Sequence, residues 1–284
     1  MKINQIRWMI LLVVILFVLI FVGYSLTGQS EKELIIAGST TIFPIIEKIA
    51  DNFDLEGSDK EIFVIGGSSE YGLSLLNNGE ADIATVSRDL TTYEIEQYCI
   101  LRYPSLYVTT IARDGVLVVV NPKNNIDNLT SSQIRDIYTG RIRNWKDVGG
   151  EDREIVLLGR VSSSGTRQTF ESLLNIDKVR DDMVSLSANS SVLLGVSEDE
   201  NAIGYIGHGY LDPSRVKALS VDDIEGNIEN ISKGVYPLVR NLNLVTRGAP
   251  KGDIKDFIDF MFSKEGKNII KEEGYIPISY NEEV

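Results

Sequence analysis

Three times in this chain a short apolar run ends in glycine and hydroxyl residues and then opens an amphipathic stretch: LIIAGSTTIFP (34–44), FVIGGSSEYG (63–72) and IVLLGRVSSSGTRQTF (155–170). Strand, Ser/Thr-Gly turn and helix start in succession commit a chain to an α/β architecture with largely parallel strands, whose ligands lie beyond the strands' carboxyl ends. The first N–H groups of each such helix have no intrahelical partner and carry the positive end of its dipole, so every junction is also a candidate oxyanion site. A single junction is ordinary capping. Three of them, one bearing an arginine, point to an anion.

The spacing predicts a strand over 34–37, a helix over 42–53, a strand over 62–65, a helix over 69–77 and a strand over 82–86. Ile42, Ile46, Ile49 and Phe53 share one helical face, and Pro44 is tolerated in the first turn. Asn77, Asn78 and Gly79 stop the second helix. Two apolar strands, GVLVVVN (115–121) and YPLVRNLNLVT (236–246), bracket a self-contained α/β stretch, which predicts an inserted second lobe, a two-strand hinge and a cleft. Residues 33–117 with 238–284 then form one lobe and 118–237 the other. A closing helical segment is predicted over 252–273, with Ile254, Phe257, Ile258 and Met261 at helical spacing.

At 284 residues, 43% hydrophobic and 24% charged, the composition is globular. After Lys2 and Arg7 an unbroken apolar run, Trp8 to Val22, is close to a bilayer span, and the uncharged stretch continues through Leu26. With Glu31, Lys32 and Glu33 on its far side, the positive-inside rule makes residues 1–27 an uncleaved signal anchor and places the rest outside the cytoplasm. A cleaved signal peptide is the alternative. The one cysteine, Cys99, forbids an intrachain disulfide and reads as a small buried residue. Asn128, Asn189 and Asn230 begin glycosylation sequons. A net charge of −13 with no basic stripe argues against nucleic acid.

GRVSSSGTRQTF is the richest segment. Arg160 leaves the strand with a planar fork suited to two oxyanion oxygens, and Ser164, Gly165 and Thr166 aim hydroxyl and N–H donors from the turn. The serines are not read as nucleophiles: the only histidine, His208, has no motif tying it to one and reads as a loop or hinge residue. With no Walker loop, no GxGxxG after a strand and no Cys/His metal spacing, neither metal nor cofactor is expected. In NLTSSQIRDIYTGRIRNWKDVGG (128–150), Thr130 and Gln133 read as a capping box and Gly140 as a helix end, which makes Ser131 and Ser132 cap residues. Arg141, Arg143 and Lys146 read as a solvated loop.

Taken in order, AGSTTIFPI, GGSSEYG, ADIATVSRDL, LTSSQIRDIYTGRIRNWKDVGG, GRVSSSGTRQTF, NAIGYIGHGYLD, YPLVRNLNLVT and FSKEGKNIIKEEGYIPI resemble the PstS-like family, the phosphate-binding proteins of phosphate ABC transporters, over about 33–279. The resemblance implies a type II periplasmic-binding-protein fold, two lobes closing on one dehydrated phosphate, and delivery to a membrane permease by a monomer without catalysis. By position it implies phosphate ligation by Thr41 beside Thr40, by the backbone N–H of Ile42, by Ser68, and by Arg160, Ser164, Gly165 and Thr166.

One position departs from the pattern: where some family members carry an aspartate after the third strand, this chain has Ser87. That carboxylate accepts a hydrogen bond from the protonated oxygen of phosphate and rejects sulfate, so a serine weakens the discrimination. Glu70 or Asp89 is the expected substitute acceptor. A receptor for another tetrahedral oxyanion, a phosphate-ester hydrolase and a surface adhesion module on the same fold are the alternatives.

Overall fold

The computed structural model describes residues 33–53, 61–101 and 105–278, with the side chains of 97–101 outside that description. The expected N-terminal anchor and the side chain of Cys99 therefore lie outside the described residues. Among those described, no helix is long and apolar enough to cross a membrane.

The first lobe is built as its sequence periodicity dictates. Strand β1 (Glu33–Ser39) pairs in parallel with β2 (Glu61–Gly67) and β3 (Ile83–Val86), and helices α1 (Phe43–Asn52) and α2 (Ser69–Asn78) make the crossovers. Ile45, Ile46 and Ile49 bury one face of α1, each contributing about 1.5–3 kcal/mol by removal from water. Helix α2 ends as the asparagine-glycine signal requires, with Gly79 left-handed at φ 81°. Gly38, at φ 137°, lets β1 lie against β3, because a Cβ there would stand 2.4 Å from the Thr85 carbonyl oxygen. Helix α3 (Thr92–Leu101) follows.

Strand β4 (Leu106–Val120) then runs for 15 residues. It begins well before the expected 115, because its first half pairs antiparallel with β8 (Val239–Arg247) across a register shift at Leu242/Asn243. Its second half enters the other lobe, where it pairs antiparallel with β7 (Ala202–Gly207), itself parallel to β5 (Val156–Arg160). Strand β6 (Val184–Leu186) closes that edge. The strand order along the sheet is β2-β1-β3-β8-β4-β7-β5-β6.

Helices α4 (Ser131–Thr139), α5 (Gly165–Leu173) and α6 (Asn189–Glu198) flank the second half. The capping box at Thr130 is present, with both reciprocal bonds to Gln133, and Gly140 ends α4 in the left-handed region. Arg141, Arg143 and Lys146 are ion-paired with Asp136, Asp182 and Asp152 at the surface, as a solvated loop should be. The closing segment is two helices rather than one. Helix α7 (Gly252–Phe262) stops at Ser263, whose hydroxyl accepts from the Gly266 N–H and so caps α8 (Lys264–Glu272).

The apolar residues segregate into separate cores. One gathers Leu34, Ile42, Ile111, Ala112, Leu242 and Phe257; another gathers Val116 to Val120, Tyr138, Phe170, Tyr205 and Leu238. The change of core falls between Ala112 and Val116 on β4 and between Leu238, just before β8, and Leu242 within it. Between them, on each strand, sits one buried charged residue, Asp114 on β4 and Arg240 on β8.

Candidate functional site

The site forms where the starts of α1 and α5 meet. After β1, the Ser39 carbonyl accepts from the Ile42 N–H at 3.1 Å and the Ser39 hydroxyl from the Thr41 N–H at 3.2 Å, making a tight turn that fixes the Thr40 and Thr41 side chains. The Ile42 N–H, which the resemblance implied as an anion donor, is thus engaged inside its own turn. Tyr210 and Tyr275 donate their hydroxyls to the Thr40 and Thr41 carbonyls at 2.5 and 2.8 Å. Burial raises both phenols, Tyr210 to about 12, so both remain protonated donors.

From the other lobe, Arg160 ends β5 and is 1% exposed. Its Nη2 donates to Thr40 Oγ1 at 3.1 Å and to the Ser187 carbonyl at 2.7 Å, and its Nε to the Leu186 carbonyl at 3.3 Å. The remaining atom, Nη1, is buried with no hydrogen-bond partner. Among the described residues no carboxylate is ion-paired with this guanidinium, and burial, aided by repulsion from Arg240 and opposed by Tyr205, pulls it down to about 10. A buried cation with an unused N–H is a site waiting for negative charge.

Thr166, in the first turn of α5, places its Oγ1 3.2 Å from Thr41 Oγ1. Ser164, the N-cap, is buried but makes no side-chain cap bond. Gly165 lies against Ser69 and Ser87: a Cβ there would stand 2.3 Å from Ser69 Oγ and 2.7 Å from Ser87 Oγ. The Ser87 N–H donates to Ser69 Oγ at 3.2 Å, and the two hydroxyls lie 3.4 Å apart. Ser68 caps α2 by accepting from the Tyr71 N–H, and it is Ser69 beside it that is fully buried against the other lobe.

Four contributors escaped the sequence reading. Asn189 is not an accessible sequon: it is fully buried, its Nδ2 donates to Thr41 Oγ1 at 3.0 Å, and its Oδ1 accepts from the Gly207 N–H. Arg240 donates Nη1 to Thr166 Oγ1 at 2.7 Å and Nη2 to Thr41 Oγ1 at 3.3 Å. It is held by Asp114, 2.6 Å away and directly opposite in the strand register. Ser69 completes the set. The signal for the charged pair was present, since Arg240 alternates with Leu238 and Leu242, and Asp114 with Ala112 and Val116, on buried strand faces.

Glu70 and Asp89, the expected substitute acceptors, are exposed and engaged elsewhere. Glu70 accepts from Gln168 Nε2 and Asp89 from Asn241 Nδ2. Among the described residues His208 makes no hydrogen bond to a serine; its N–H donates to Asp114 Oδ1 at 2.9 Å and its Nδ1 meets the Gly274 carbonyl at 2.8 Å.

A sheet shared by two lobes, with helix starts and a buried guanidinium converging at their junction, defines a two-lobed solute-binding protein of the periplasmic-binding type. The sequence model of the PBP superfamily domain matches residues 25–265. The phosphate-binding protein PstS of Borreliella burgdorferi is 31% identical over 90% of this chain and 94% of its own length. That of Bacillus subtilis is 29% identical over 98% and 96%. Among solved structures, a substrate-binding protein assigned to a phosphate ABC transporter of Clostridium perfringens, determined with bound phosphate, is 33% identical and superposes with a TM-score of 0.80 over 87% of this chain and all of the other. An ABC-type phosphate transport receptor from Vibrio cholerae gives 36%, with a TM-score of 0.72 over 86% of this chain and 99% of the other. The chain belongs to the PBP superfamily and, within it, to the PstS-like family.

Proposed function

We propose that this chain is a non-enzymatic receptor that captures inorganic phosphate between its two lobes and delivers it to an ABC permease. The observation that carries the reading is Arg160: a buried guanidinium without a carboxylate partner among the described residues, with both N–H groups of Nη1 unused, facing the start of a helix from the opposite lobe. Around it Thr40, Thr41, Ser87, Ser164 and Thr166 supply hydroxyls, and the first-turn N–H groups of α5 at Gly165 and Thr166 have no carbonyl a turn earlier to bind. Donors held on rigid helix ends need not reorganise when the anion arrives, and lobe closure excludes competing water. The net charge of −13 does not oppose this, because exposed charges are screened within about 8–10 Å while the site acts at contact distance.

The lobes run over 33–117 with 238–284, and over 118–237. The N-terminal segment 1–27, with its apolar run from Trp8 to Val22, anchors the protein as a monomer on the outer face of the membrane. Ser87 supports a second reading within the same class, a receptor that takes other tetrahedral oxyanions as well. Calorimetric titration with phosphate, arsenate and sulfate tests both readings. Saturable 1:1 heat with phosphate is expected, and its absence would overturn the assignment.

A further inference from the structure

We propose that Arg240, held by Asp114, is a positioning residue that commits the hydroxyl of Thr166, backed by that of Thr41, to donate toward the anion. The proposal rests on reading the lobe junction as an oxyanion site. A hydroxyl has one proton to give and two lone pairs to fill, and which way it turns is set by its neighbours. Thr41 Oγ1 receives Asn189 Nδ2 at 3.0 Å and Arg240 Nη2 at 3.3 Å. Both are N–H donors; the asparagine's orientation is fixed by the Gly207 N–H bound to its oxygen. With its lone pairs filled, Thr41 has only its proton left to offer. Thr166 Oγ1 receives Arg240 Nη1 at 2.7 Å and, on its other side, stands 3.2 Å from Thr41 Oγ1. Thr41 therefore donates to Thr166, and Thr166 is left with its proton to give.

The guanidinium is placed to do this without adding net charge. Its Nε and Nη2 both bind Asp114 Oδ2, at 2.9 and 2.6 Å, and its Nη1 also reaches the Ser87 carbonyl at 3.3 Å. All five of its N–H groups are thereby directed, three of them toward residues of the site. Asp114 is fixed in turn by the His208 N–H on Oδ1. The pair is almost completely buried and self-neutralising, so it gives direction, whereas Arg160 gives charge. Without Arg240 the Thr166 hydroxyl is free to turn and present a lone pair to an anion, which repels it.

The test is a mutant cycle read by calorimetry with inorganic phosphate on the full chain. Arg240→Gln leaves Asp114 buried without its counter-charge and is prone to misfold, so the measured change is Arg240→Gln with Asp114→Asn, which keeps shape and removes both charges. In the wild-type background this change is expected to weaken phosphate binding about 30-fold. In a Thr166→Val background, where the hydroxyl that Arg240 turns toward the anion is already gone, it is expected to cost about fivefold or less, because residues acting through one another are non-additive. Arg240→Lys, which keeps the ion pair but cannot reach both hydroxyls, is expected to lose about tenfold with an unchanged melting temperature. Equal penalties in the two backgrounds, or none in the first, would overturn the role of Arg240 while leaving phosphate binding standing. Absence of phosphate binding by the wild-type chain would overturn the oxyanion site itself.

Discussion

Thr41 Oγ1 and Thr166 Oγ1 lie 3.2 Å apart although 125 residues separate them in sequence. One stands at the start of α1, the other in the first turn of α5, so each lobe presents a helix terminus to the same point. The contact is between hydroxyls rather than methyls, and two buried arginines lie beside it. Closure of the lobes thus assembles donors, and a ligand rich in acceptors is what completes it.

Gly165 sets how closely the lobes approach. A methyl group there would stand 2.3 Å from Ser69 Oγ, well inside contact distance. Gly165→Ala is expected to weaken phosphate binding by about tenfold or more and to leave the phosphate-saturated molecule with a larger radius of gyration in X-ray scattering. A variant that compacts and binds like the wild type would show that this contact does not limit closure.

Arg160→Ala is expected to weaken phosphate binding by about 100-fold or more, since charge-assisted hydrogen bonds are worth about 1.5–3 kcal/mol each. The same change removes a buried cation that has no carboxylate partner among the described residues, so the phosphate-free melting temperature should hold steady or rise. Calorimetry and thermal denaturation read the two effects separately. An unchanged affinity would remove the central claim.

Burial and, after it, Arg240 pull the Arg160 guanidinium down to about 10. Above that pH the phosphate-free native protein has released a proton that the unfolded chain still binds, so the strain of the buried charge is relieved and this contribution to stability rises with pH. Bound phosphate acts the other way, holding the proton on. Phosphate affinity should therefore fall as pH climbs through about 10, with proton uptake on binding there and no Arg160-linked uptake well below it. Titrations in two buffers of different ionisation heat measure that uptake.

Position 87 should govern selectivity. Ser87→Asp introduces a carboxylate that accepts from a protonated phosphate oxygen and repels sulfate, so sulfate affinity should fall at least about tenfold more than phosphate affinity. Glu70→Gln and Asp89→Asn should leave the ratio alone, since both side chains are exposed and bound to amides. Competition titrations decide this. An unmoved ratio in Ser87→Asp would place the selective contact elsewhere.

What could be read from sequence was whatever local chemistry writes locally. Helix α1 shows in the spacing of Ile42, Ile46 and Ile49, the end of α2 in Gly79, and the start of α4 in Thr130 and Gln133, because capping and amphipathicity act within a few residues. Thr41 and Thr166 at helix starts, and Arg160 at the end of a strand, were legible for the same reason. Asn189 and Arg240 were not: they reach Thr41 from 148 and 199 residues away, and only the folded sheet brings them there. Ser68 and Ser69 were separable only by burial, since a two-serine turn does not say which hydroxyl caps its own helix. The break at Ser263 was hidden by apolar spacing that continues across it.

Strand β4 contributes Ile111 and Ala112 to one core and Val116 to Val120 to the other without interruption. A peptide segment cannot be ordered at one end of an extended ladder and frayed in its middle without breaking the pairing with β8 on the way. Two cores that share such a strand are coupled through it, so the two lobes are expected to lose their structure together on heating, in a single calorimetric transition.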